Sequence, residues 1–530
     1  MAPIFVGSNN EDSRIRSNRI GFAASTADPG SLVTGDAYYN STDNQLKIYD
    51  GSALSPVSGG GGTVELTASG SLSNGQAVIV TSDGKAAGVV TTSENLGALS
   101  SFSNTGAGRV SSVFDPTTNQ VIVSYSQSGG KVNVGTISGE TVSYGATATF
   151  TSNATQWNAV TYDTNSNRVV VAYRDGNDGN KGKAVVGTVT GTAVTFGTPV
   201  EFESGNSQYI AITFDSNENK VVISYQDYPD SSRGKFIVGN VSGDTISFGS
   251  ATIFNDATTQ YIASTFDSTN NKVVTFYSTG SGSYATVATV SGTSITQNTI
   301  ADMDASESQF YNGTPAIYDS SIDKILVVYT DTGDSNKGKI RAGSISGSTL
   351  TFGSETTFSN EGMNYPSVAY NSTDSKINVI WRSSQAPSYT FYNHHAVGTI
   401  SGTTVSMGNT STTFGYSSSA ASATYDPINN RTLFAVARDV NPTYRGDSKV
   451  FRNESFNLTS ENFIGFSDAA YTNGQTAKIQ VVSSVDDAQS GLTTGSQLYV
   501  QTDGSLSTTA DTPSVFAGTA LSGTEISIKN

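Results

Sequence analysis

Cysteine is absent from this chain of 530 residues, so disulfide bonds, thiolate nucleophiles and cysteine-ligated metals are excluded. Histidine (2), tryptophan (2) and methionine (4) are scarce, and charged residues make up only 14%. No stretch approaches the roughly 18 consecutive apolar residues that a transmembrane helix needs. The first residues also lack the apolar core of a signal peptide. We therefore expect a soluble protein that is made inside a cell without secretory processing and does not insert into a membrane.

Positive charge is also in short supply, since 28 basic residues face 44 acidic ones and the formal net charge is −16. An acidic surface repels nucleic acid, so we expect no nucleic-acid partner. Glycine (54), tyrosine (25) and phenylalanine (24) are abundant, as are serine, threonine and asparagine. This composition is typical of an all-β protein with many tight turns.

A unit of about fifty residues recurs seven times along the chain. Each copy contains an aromatic residue followed by Asp or Asn, then a polar turn and an apolar run. The pairs are spaced 48, 52, 52, 52, 52 and 55 residues apart, and they are Phe114-Asp115, Tyr162-Asp163, Phe214-Asp215, Phe266-Asp267, Tyr318-Asp319, Tyr370-Asn371 and Tyr425-Asp426. One copy contains four strand-like segments in succession, as in an antiparallel propeller blade. The sequence therefore predicts an all-β fold with a seven-bladed β-propeller of four-stranded blades.

The seventh copy lacks a fourth strand, and a segment before the first copy matches the missing piece. Phe150, Phe202 and Phe254 each lie twelve residues before the next aromatic pair, and Phe102 lies twelve residues before Phe114. We therefore predict that residues from about 95 to 102 supply the closing strand. Such closure removes the exposed sheet edges that invite aggregation.

The segments on either side of the repeats resemble each other, since SLSNGQAVIVTSDGK at 71–85 matches GLTTGSQLYVQTDGS at 491–505. We predict one small flanking β-module in two parts, 63–93 and 461–530, with the propeller at 94–460 inserted into it. Two separate hairpin domains are the alternative. Residues 1–62 contain a polar arm, a hairpin and a glycine-rich linker, which together are typical of an attachment peptide.

Two flanking regions resemble proteins of phage particles. GDAYYNSTDNQLKIYDGSA at 35–53 resembles a segment near the N-termini of tail-fibre-like proteins of marine tailed phages. The region from ENFIGFSDAAYTNGQTAKIQVVSS to FAGTALSGTEISIKN, at 461–530, is similar to a C-terminal β-module of phage virion proteins, especially those of cyanobacterial phages. The resemblance does not extend to the propeller.

The resemblance implies a virion structural protein such as a fibre, spike or decoration element, made in the host cytoplasm and located on the virion. It implies other virion proteins as partners of the N-terminal arm, and many copies per virion. The propeller would then contact a host-surface glycan or protein, and multivalency would strengthen weak contacts.

The repeated carboxylates do not indicate an active site. An Asp before a polar turn caps the turn through its side chain, and a glycosidase needs two carboxylates in different environments. His394 and His395 are adjacent, so in a strand they point to opposite faces and cannot form a metal pair. We therefore expect no catalytic residue, no bound metal and no cofactor, although two oxygen-rich loops at 175–180 and 331–336 leave Ca²⁺ open. Hydrolysis of surface polysaccharide is an alternative that the sequence argues against.

Four aromatic residues form the candidate ligand site: Trp157, Tyr209, Tyr261 and Tyr365. Each lies five residues before an aromatic-Asp or aromatic-Asn pair, where repeat one has Arg109. This position opens the first strand of a blade, near the central axis, and aromatic rings there suit stacking on sugars. The alternative is packing between neighbouring blades. A dedicated glycan-binding module is accordingly the second functional hypothesis.

Overall fold

The repeats fold into antiparallel strands because their β-branched and aromatic runs are separated by turns that asparagine and glycine favour. This computed structural model describes residues 62–529 except 311–312, 386–389 and 440–443. Between residues 384 and 391 only the backbone is described. Nearer the N-terminus, the model describes the backbone of four strands. Those strands form one sheet: Ala24–Ser25, Ala37–Asn40, Gln45–Tyr49 and Leu54–Val57. Ala37–Asn40 and Gln45–Tyr49 pair antiparallel at the position of the predicted hairpin. Most of the predicted arm and most of the linker lie outside the described residues.

The seven repeats, numbered here in chain order, share three consecutive strands. The first strands end at the Asp or Asn of the repeated pair: Gly108–Asp115, Thr155–Asp163, the end of Val200–Asp215, Gln260–Asp267, Ser308–Gln309 with Ala316–Asp319, Met363–Asn371 and Ser418–Asp426. The second strands are Gln120–Ser126, Arg168–Asp175, Lys220–Asp227, Lys272–Ser278, Lys324–Asp331, Lys376–Gln385 and Arg431–Arg438. The third strands are Gly130–Ser138, Lys181–Thr190, Arg233–Ser242, Ser283–Ser291, Lys337–Ser346, Thr390–Ser401 and Arg445–Arg452.

The fourth strands depart from the uniform four-stranded pattern that the sequence predicts. In four repeats the strand is broken at the glycine of an aromatic-glycine pair, giving Thr141–Tyr144 with Ala148–Thr151, Ala193–Phe196 with the start of Val200–Asp215, Thr245–Phe248 with Thr252–Asn255, and Thr349–Phe352 with Thr356–Ser359. Repeats four and six have the continuous strands Ser294–Asp304 and Thr404–Phe414, and their sheets have four strands. Because Val200–Asp215 runs on from repeat two into repeat three, those two repeats share one nine-stranded sheet.

The first strands contact one another in succession from repeat one to repeat seven, and the first strand of repeat seven contacts that of repeat one. In repeat seven the place of a fourth strand is taken by residues that precede repeat one. Asn95–Leu96 and Ser100–Ser103 both pair antiparallel with the third strand, Arg445–Arg452. The inter-repeat contacts therefore return to their starting point.

An aromatic pair fills the junction between neighbouring repeats. A phenylalanine from one fourth strand packs on the aromatic residue of the following second strand, with ring centroids 4.9–5.3 Å apart, in the pairs Phe102–Tyr125, Phe150–Tyr173, Phe202–Tyr225, Phe254–Tyr277 and Phe358–Trp381. Such pairs contribute about 0.5–1.5 kcal/mol beyond the burial of their surface. Phe102 thus performs at the junction of repeats seven and one the role that Phe150 performs at the next.

Glycine permits the close approach of backbones at the same junctions. A Cβ atom added there would lie 1.7–2.3 Å from a carbonyl oxygen in the hairpin of the next repeat, at Gly97, Gly145, Gly197, Gly249 and Gly353. No side chain fits this space without a shift of the backbone. The recurring aromatic-glycine pair is therefore a packing requirement of the junction.

A second compact unit comprises residues 1–92 and 455–530, while residues 93–454 form the repeat unit. It contains two five-stranded sheets with the same order of strands. The first has the order Thr63–Thr67, Thr476–Gln480, Phe463–Ser467, Ala77–Val80 and Ala86–Gly88, and the second has Val485–Asp486, Ile526–Ile528, Val515–Ala520, Gln497–Val500 and Leu506–Ser507. Thr91–Thr92 pairs with Ser455–Phe456.

The matching strand order indicates two copies of one five-stranded sheet within the compact unit formed by both flanks, for which the sequence predicts a single small β-module. The repeat unit is inserted between the third and fourth strands of the first copy, in chain order. One buried core joins the copies, with Phe463 and Phe466 from the first and Val515 and Ile526 from the second. The likeness between residues 71–85 and 491–505 reflects this duplication.

Candidate functional site

The four predicted aromatic residues and Arg109 lie at a bulge in the first strands of five repeats. In repeat two, Gln156 pairs with Arg174 and Ala159 with Ala172, so two residues of the first strand oppose one residue of the second. The same shift of register occurs in repeats one, three, four and six. Each bulge gives its residue a positive φ: 51° at Arg109, 53° at Trp157, 49° at Tyr209, 49° at Tyr261 and 56° at Tyr365.

A bulky side chain in this left-handed region costs about 1–2 kcal/mol, whereas asparagine tolerates it better. The chain follows that rule at its turns, where left-handed positions are occupied by Asn119, Asn167, Asn219, Asn271 and Asn430. It departs from the rule at the bulges. Costly backbone conformations of this kind cluster at binding and active sites.

The five bulge residues, which we call the mouth cluster, lie close together although they come from five repeats. The Arg109 guanidinium lies 4.2 Å from the ring centroid of Trp157. The centroid of Trp157 is 4.4 Å from that of Tyr209, which is 5.1 Å from that of Tyr261. Arg109 also interacts electrostatically with Tyr365. All five side chains are half-buried.

Stacking inside the mouth cluster covers ring faces and leaves polar edges open. Trp157 is in contact with both Arg109 and Tyr209, so packing between repeats, the alternative interpretation, accounts for part of its surface. Neither the indole N–H of Trp157 nor the hydroxyl of Tyr209 forms a hydrogen bond with the described residues. Neither group is fully buried, so both are open to solvent. Their available groups are hydrogen-bonding edges suited to a hydroxyl-rich ligand.

A cavity of about 220 Å³ adjoins the mouth cluster between the first strands. Its walls are residues that follow the cluster in those strands, namely 111–113, 158–161, 210–213 and 262–265, together with 313–318. Most of them are serine, threonine, alanine, valine or isoleucine. A space of this size and polarity accommodates water. The mouth cluster therefore lies next to a small cavity that has polar and apolar walls.

Burial shifts the acid–base behaviour of the mouth cluster. Burial raises the pKa of Tyr261 to about 12, with smaller contributions from Tyr209, Glu307 and Tyr365. Burial also raises the pKa of Tyr209 and lowers the pKa of Arg109. At neutral pH the tyrosines are therefore neutral hydrogen-bond donors, and Arg109 keeps its positive charge.

The opposite ends of the first strands carry the repeated Asp or Asn. Asp115 accepts hydrogen bonds from the backbone N–H groups of Thr117 and Thr118. Equivalent bonds occur in the other six repeats, and Asn371 accepts one through its side-chain oxygen. The predicted turn-capping role is confirmed.

The two oxygen-rich loops hold lysine ammonium groups. Lys183 Nζ lies 2.9 Å from a carboxylate oxygen of Asp175 and 2.7 Å from one of Asp178. Lys339 lies 2.7 Å from Glu355 in the corresponding place of repeat five. There the described residues include one group of three carboxylates with ligand atoms within 4.8 Å of one another: Asp304, Asp331 and Glu355. Because a lysine already neutralises each loop, the geometry does not favour Ca²⁺.

The adjacent histidines point to opposite faces, as predicted. His395 is buried against Phe451, and its Nδ1 lies 2.9 Å from the hydroxyl oxygen of Thr413. Burial, aided by nearby positive charge, lowers the pKa of His395 to about 4. His394 packs on the other face, beside Trp381. Both histidines are packing residues of the sheet.

One position near the end of the second strand has a role that was not predicted from the sequence. Its side chain donates a hydrogen bond to the segment that leads into the next first strand, as Gln226 does to the carbonyl of Thr259 at 2.6 Å. The position recurs every 52 residues, and this spacing was the available signal: Arg174, Gln226, Ser278, Thr330 and Arg382. At this position, Arg174 lies opposite the bulge of Trp157. The guanidinium of Arg382, at the same position of repeat six, lies 4.8 Å from the Tyr365 ring centroid.

No protein-family model matches the sequence, and no curated protein matches it. Among solved structures, the BP39L lectin from Burkholderia pseudomallei aligns with 67% of this chain and 99% of its own, at 11% identity and a TM-score of 0.49. The β-propeller domain of Cps50 (Swd1) from Myceliophteria thermophila aligns with 66% of this chain and 99% of its own, at 8% identity and a TM-score of 0.42. Propellers are thus among the similar structures, and likeness at this level says nothing about a ligand.

Among the described residues, no helix is long and apolar enough to cross a bilayer.

Proposed function

We propose that this chain is a non-enzymatic binding protein in which residues 93–454 form a seven-bladed β-propeller that recognises a carbohydrate at the mouth cluster. The observation that carries the proposal is the left-handed backbone of five bulky residues at equivalent bulges. Asparagine or glycine would relieve that strain at each site, so the backbone conformation does not account for the bulky residues. Their side chains must therefore supply the advantage. Tyrosine hydroxyls, an indole N–H and a guanidinium suit a ligand rich in hydroxyl groups.

The propeller proposal draws support from the cycle of contacts among first strands and from the strand that precedes repeat one but completes repeat seven. Absence of enzymatic activity is part of the proposal. It draws support from the carboxylates that cap turns or pair with lysines, since these are already engaged in structural bonds.

We further propose that the protein lies on a virion as a fibre, spike or decoration element, where the flanking β-modules and the N-terminal arm hold it against other virion proteins. The support is the resemblance of residues 35–53 and 461–530 to phage virion proteins. Antibodies against the chain should label intact particles of the phage that encodes it. Label found only in the particle-free fraction of a lysate would refute this location.

Carbohydrate recognition is tested by applying the full-length chain, fluorescently labelled, to a glycan array. The test variant is Tyr209→Asn, because asparagine tolerates the left-handed backbone and removes only the ring. The matched control is Ile428→Ser, an exposed residue in the turn at the opposite end of the first strands. We expect the native chain and the control to bind the same glycans, and Tyr209→Asn to lose them while its unfolding midpoint stays close to native. Native binding that Tyr209→Asn leaves intact, or no binding by the native chain, would refute the proposal.

A further inference from the structure

We propose that the sugar recognised at the mouth cluster is acidic, with its carboxylate or sulfate group held by Arg109 and Arg174. This inference rests on the proposed carbohydrate recognition and specifies the chemical class of the ligand. The two arginines belong to neighbouring repeats and lie beside the same bulge, because the Arg109 guanidinium stacks on Trp157 and the Arg174 guanidinium donates to the side chain of the preceding Gln156.

Arg174 has neutral hydrogen-bond partners, as Arg341 does, whereas several other arginines of the repeat unit pair with carboxylates. Arg168, Arg233 and Arg431 each form an ion pair with an Asp or Glu. No carboxylate among the described residues pairs with Arg174, which donates instead to the neutral side-chain oxygens of Gln156 and Asn206. Its Nε atom is buried and has no hydrogen-bond partner within the described part of the chain.

Such a residue is unexpected in a protein with a net charge of −16, where acidic partners are plentiful. A half-buried guanidinium that has only neutral partners keeps most of its capacity to bind an anion. The fold does not require arginine at this position, because Gln226 occupies the equivalent place in repeat three and forms the bond to the next repeat.

The two arginines also lie near each other. Burial lowers the pKa of Arg174, and the positive charge of Arg109 lowers it further. Two like charges in a half-buried site repel each other, and an anion bound between them removes that repulsion. Carboxylate and sulfate groups match the forked geometry of guanidinium, and hydrogen bonds to charged groups contribute about 1.5–3 kcal/mol.

Glu307 supplies negative charge on the side of repeat five, where it raises the pKa of Tyr209 and of Tyr261 as a smaller cause beside burial. The proposed anion-binding arginines, Arg109 and Arg174, come from repeats one and two, and Arg382 of repeat six lies over Tyr365. A sugar with one acidic substituent is therefore held in one orientation, with its neutral hydroxyls toward Tyr209 and Tyr261.

The test compares four probes by isothermal titration with the full-length chain: methyl glucoside, methyl glucuronide, glucose 6-sulfate and inorganic sulfate. We expect methyl glucuronide or glucose 6-sulfate to bind at least about tenfold more tightly than methyl glucoside. The stronger of the two identifies the acidic group. Arg174→Gln, which installs the residue of repeat three, should abolish the preference for the acidic sugar over methyl glucoside. Arg109→Tyr, which installs the residue of repeats three and four, provides a second test of the same preference.

The failures of the two proposals are distinguishable. Equal binding of methyl glucoside and both acidic sugars would overturn the inference and leave carbohydrate recognition standing. Inorganic sulfate that binds as tightly as the acidic sugars would show an ion site only and would also overturn it. A preference that survives in both Arg174→Gln and Arg109→Tyr would show that these arginines do not hold the acidic group. Absence of any binding, with no glycan bound on the array, would remove the proposed function as well.

Discussion

Replacing Gly249 by alanine should destabilise the repeat unit by about 2–3 kcal/mol. The added Cβ would lie 2.0 Å from the carbonyl oxygen of Thr293 in the next repeat, far inside van der Waals contact. Neither atom belongs to a flexible side chain, so two strands must separate and their buried junction must loosen. The matched control is Gly415→Ala, because no atom lies within 4 Å of the new methyl group. It should be neutral or stabilise by about 0.4–1 kcal/mol through lower entropy of the unfolded chain.

Urea unfolding followed by tryptophan fluorescence is a suitable assay, because both tryptophans, Trp157 and Trp381, lie in the repeat unit. The midpoint should fall for Gly249→Ala and stay or rise for Gly415→Ala, with the slope unchanged. Equal midpoints for the two variants would refute the reasoning from close approach. Gly97→Ala extends the test to ring closure, since its methyl group would lie 1.7 Å from the carbonyl oxygen of Glu140 in repeat one. A native midpoint for Gly97→Ala would show that repeats seven and one do not meet.

Three further predictions use the same unfolding assay. Lys183→Met should lower the free energy of unfolding by about 3 kcal/mol, because buried Asp175 loses its main cation; a loss below about 1 kcal/mol would contradict this. The pKa of His395 is about 4 in the folded protein and 6.5 in the unfolded chain, so the free energy of unfolding should fall by up to about 3 kcal/mol as the pH drops from 6.5 to 4. His395→Gln should reduce this dependence of stability on pH. A variant with the same pH dependence as the native chain would contradict the prediction. Asp163→Ala should cost about 1 kcal/mol, whereas Asp163→Asn should cost little, as Asn371 suggests; equal costs would argue against turn capping.

Much of the architecture could be predicted because the repeat marks where each strand lies in the sequence. The aromatic-Asp pairs mark where the first strand ends, and Phe102 revealed the closing segment through its twelve-residue spacing from Phe114. The strand breaks in the fourth position could not be predicted, because they depend on how closely the next repeat approaches. The position of Gly249 against Thr293, for example, is a matter of packing between repeats.

The sequence predicted which residues form the candidate site, but it did not predict how they are arranged. A shared position before the aromatic pairs was enough to select Trp157, Tyr209, Tyr261 and Tyr365. Their left-handed backbone could not be foreseen, because local preference disfavours it for every one of these residues. Arg174 could not be selected from the sequence, because its neutral side-chain partners, Gln156 and Asn206, are brought to it only by the fold.

The pairing of Ser100–Ser103 with Arg445–Arg452 has a mechanical consequence. The chain enters the repeat unit at residue 93 and leaves it at residue 454, and strands from near both ends lie in one sheet. A force that draws those two points apart therefore loads the pairing of Asn95–Leu96 with Arg445–Arg452 first and that of Ser100–Ser103 next, before the other sheets of the repeat unit. The force that breaks these hydrogen bonds sets the force at which the repeats begin to unfold. A protease cut near residue 104 would remove the covalent link between this strand pairing and repeat one.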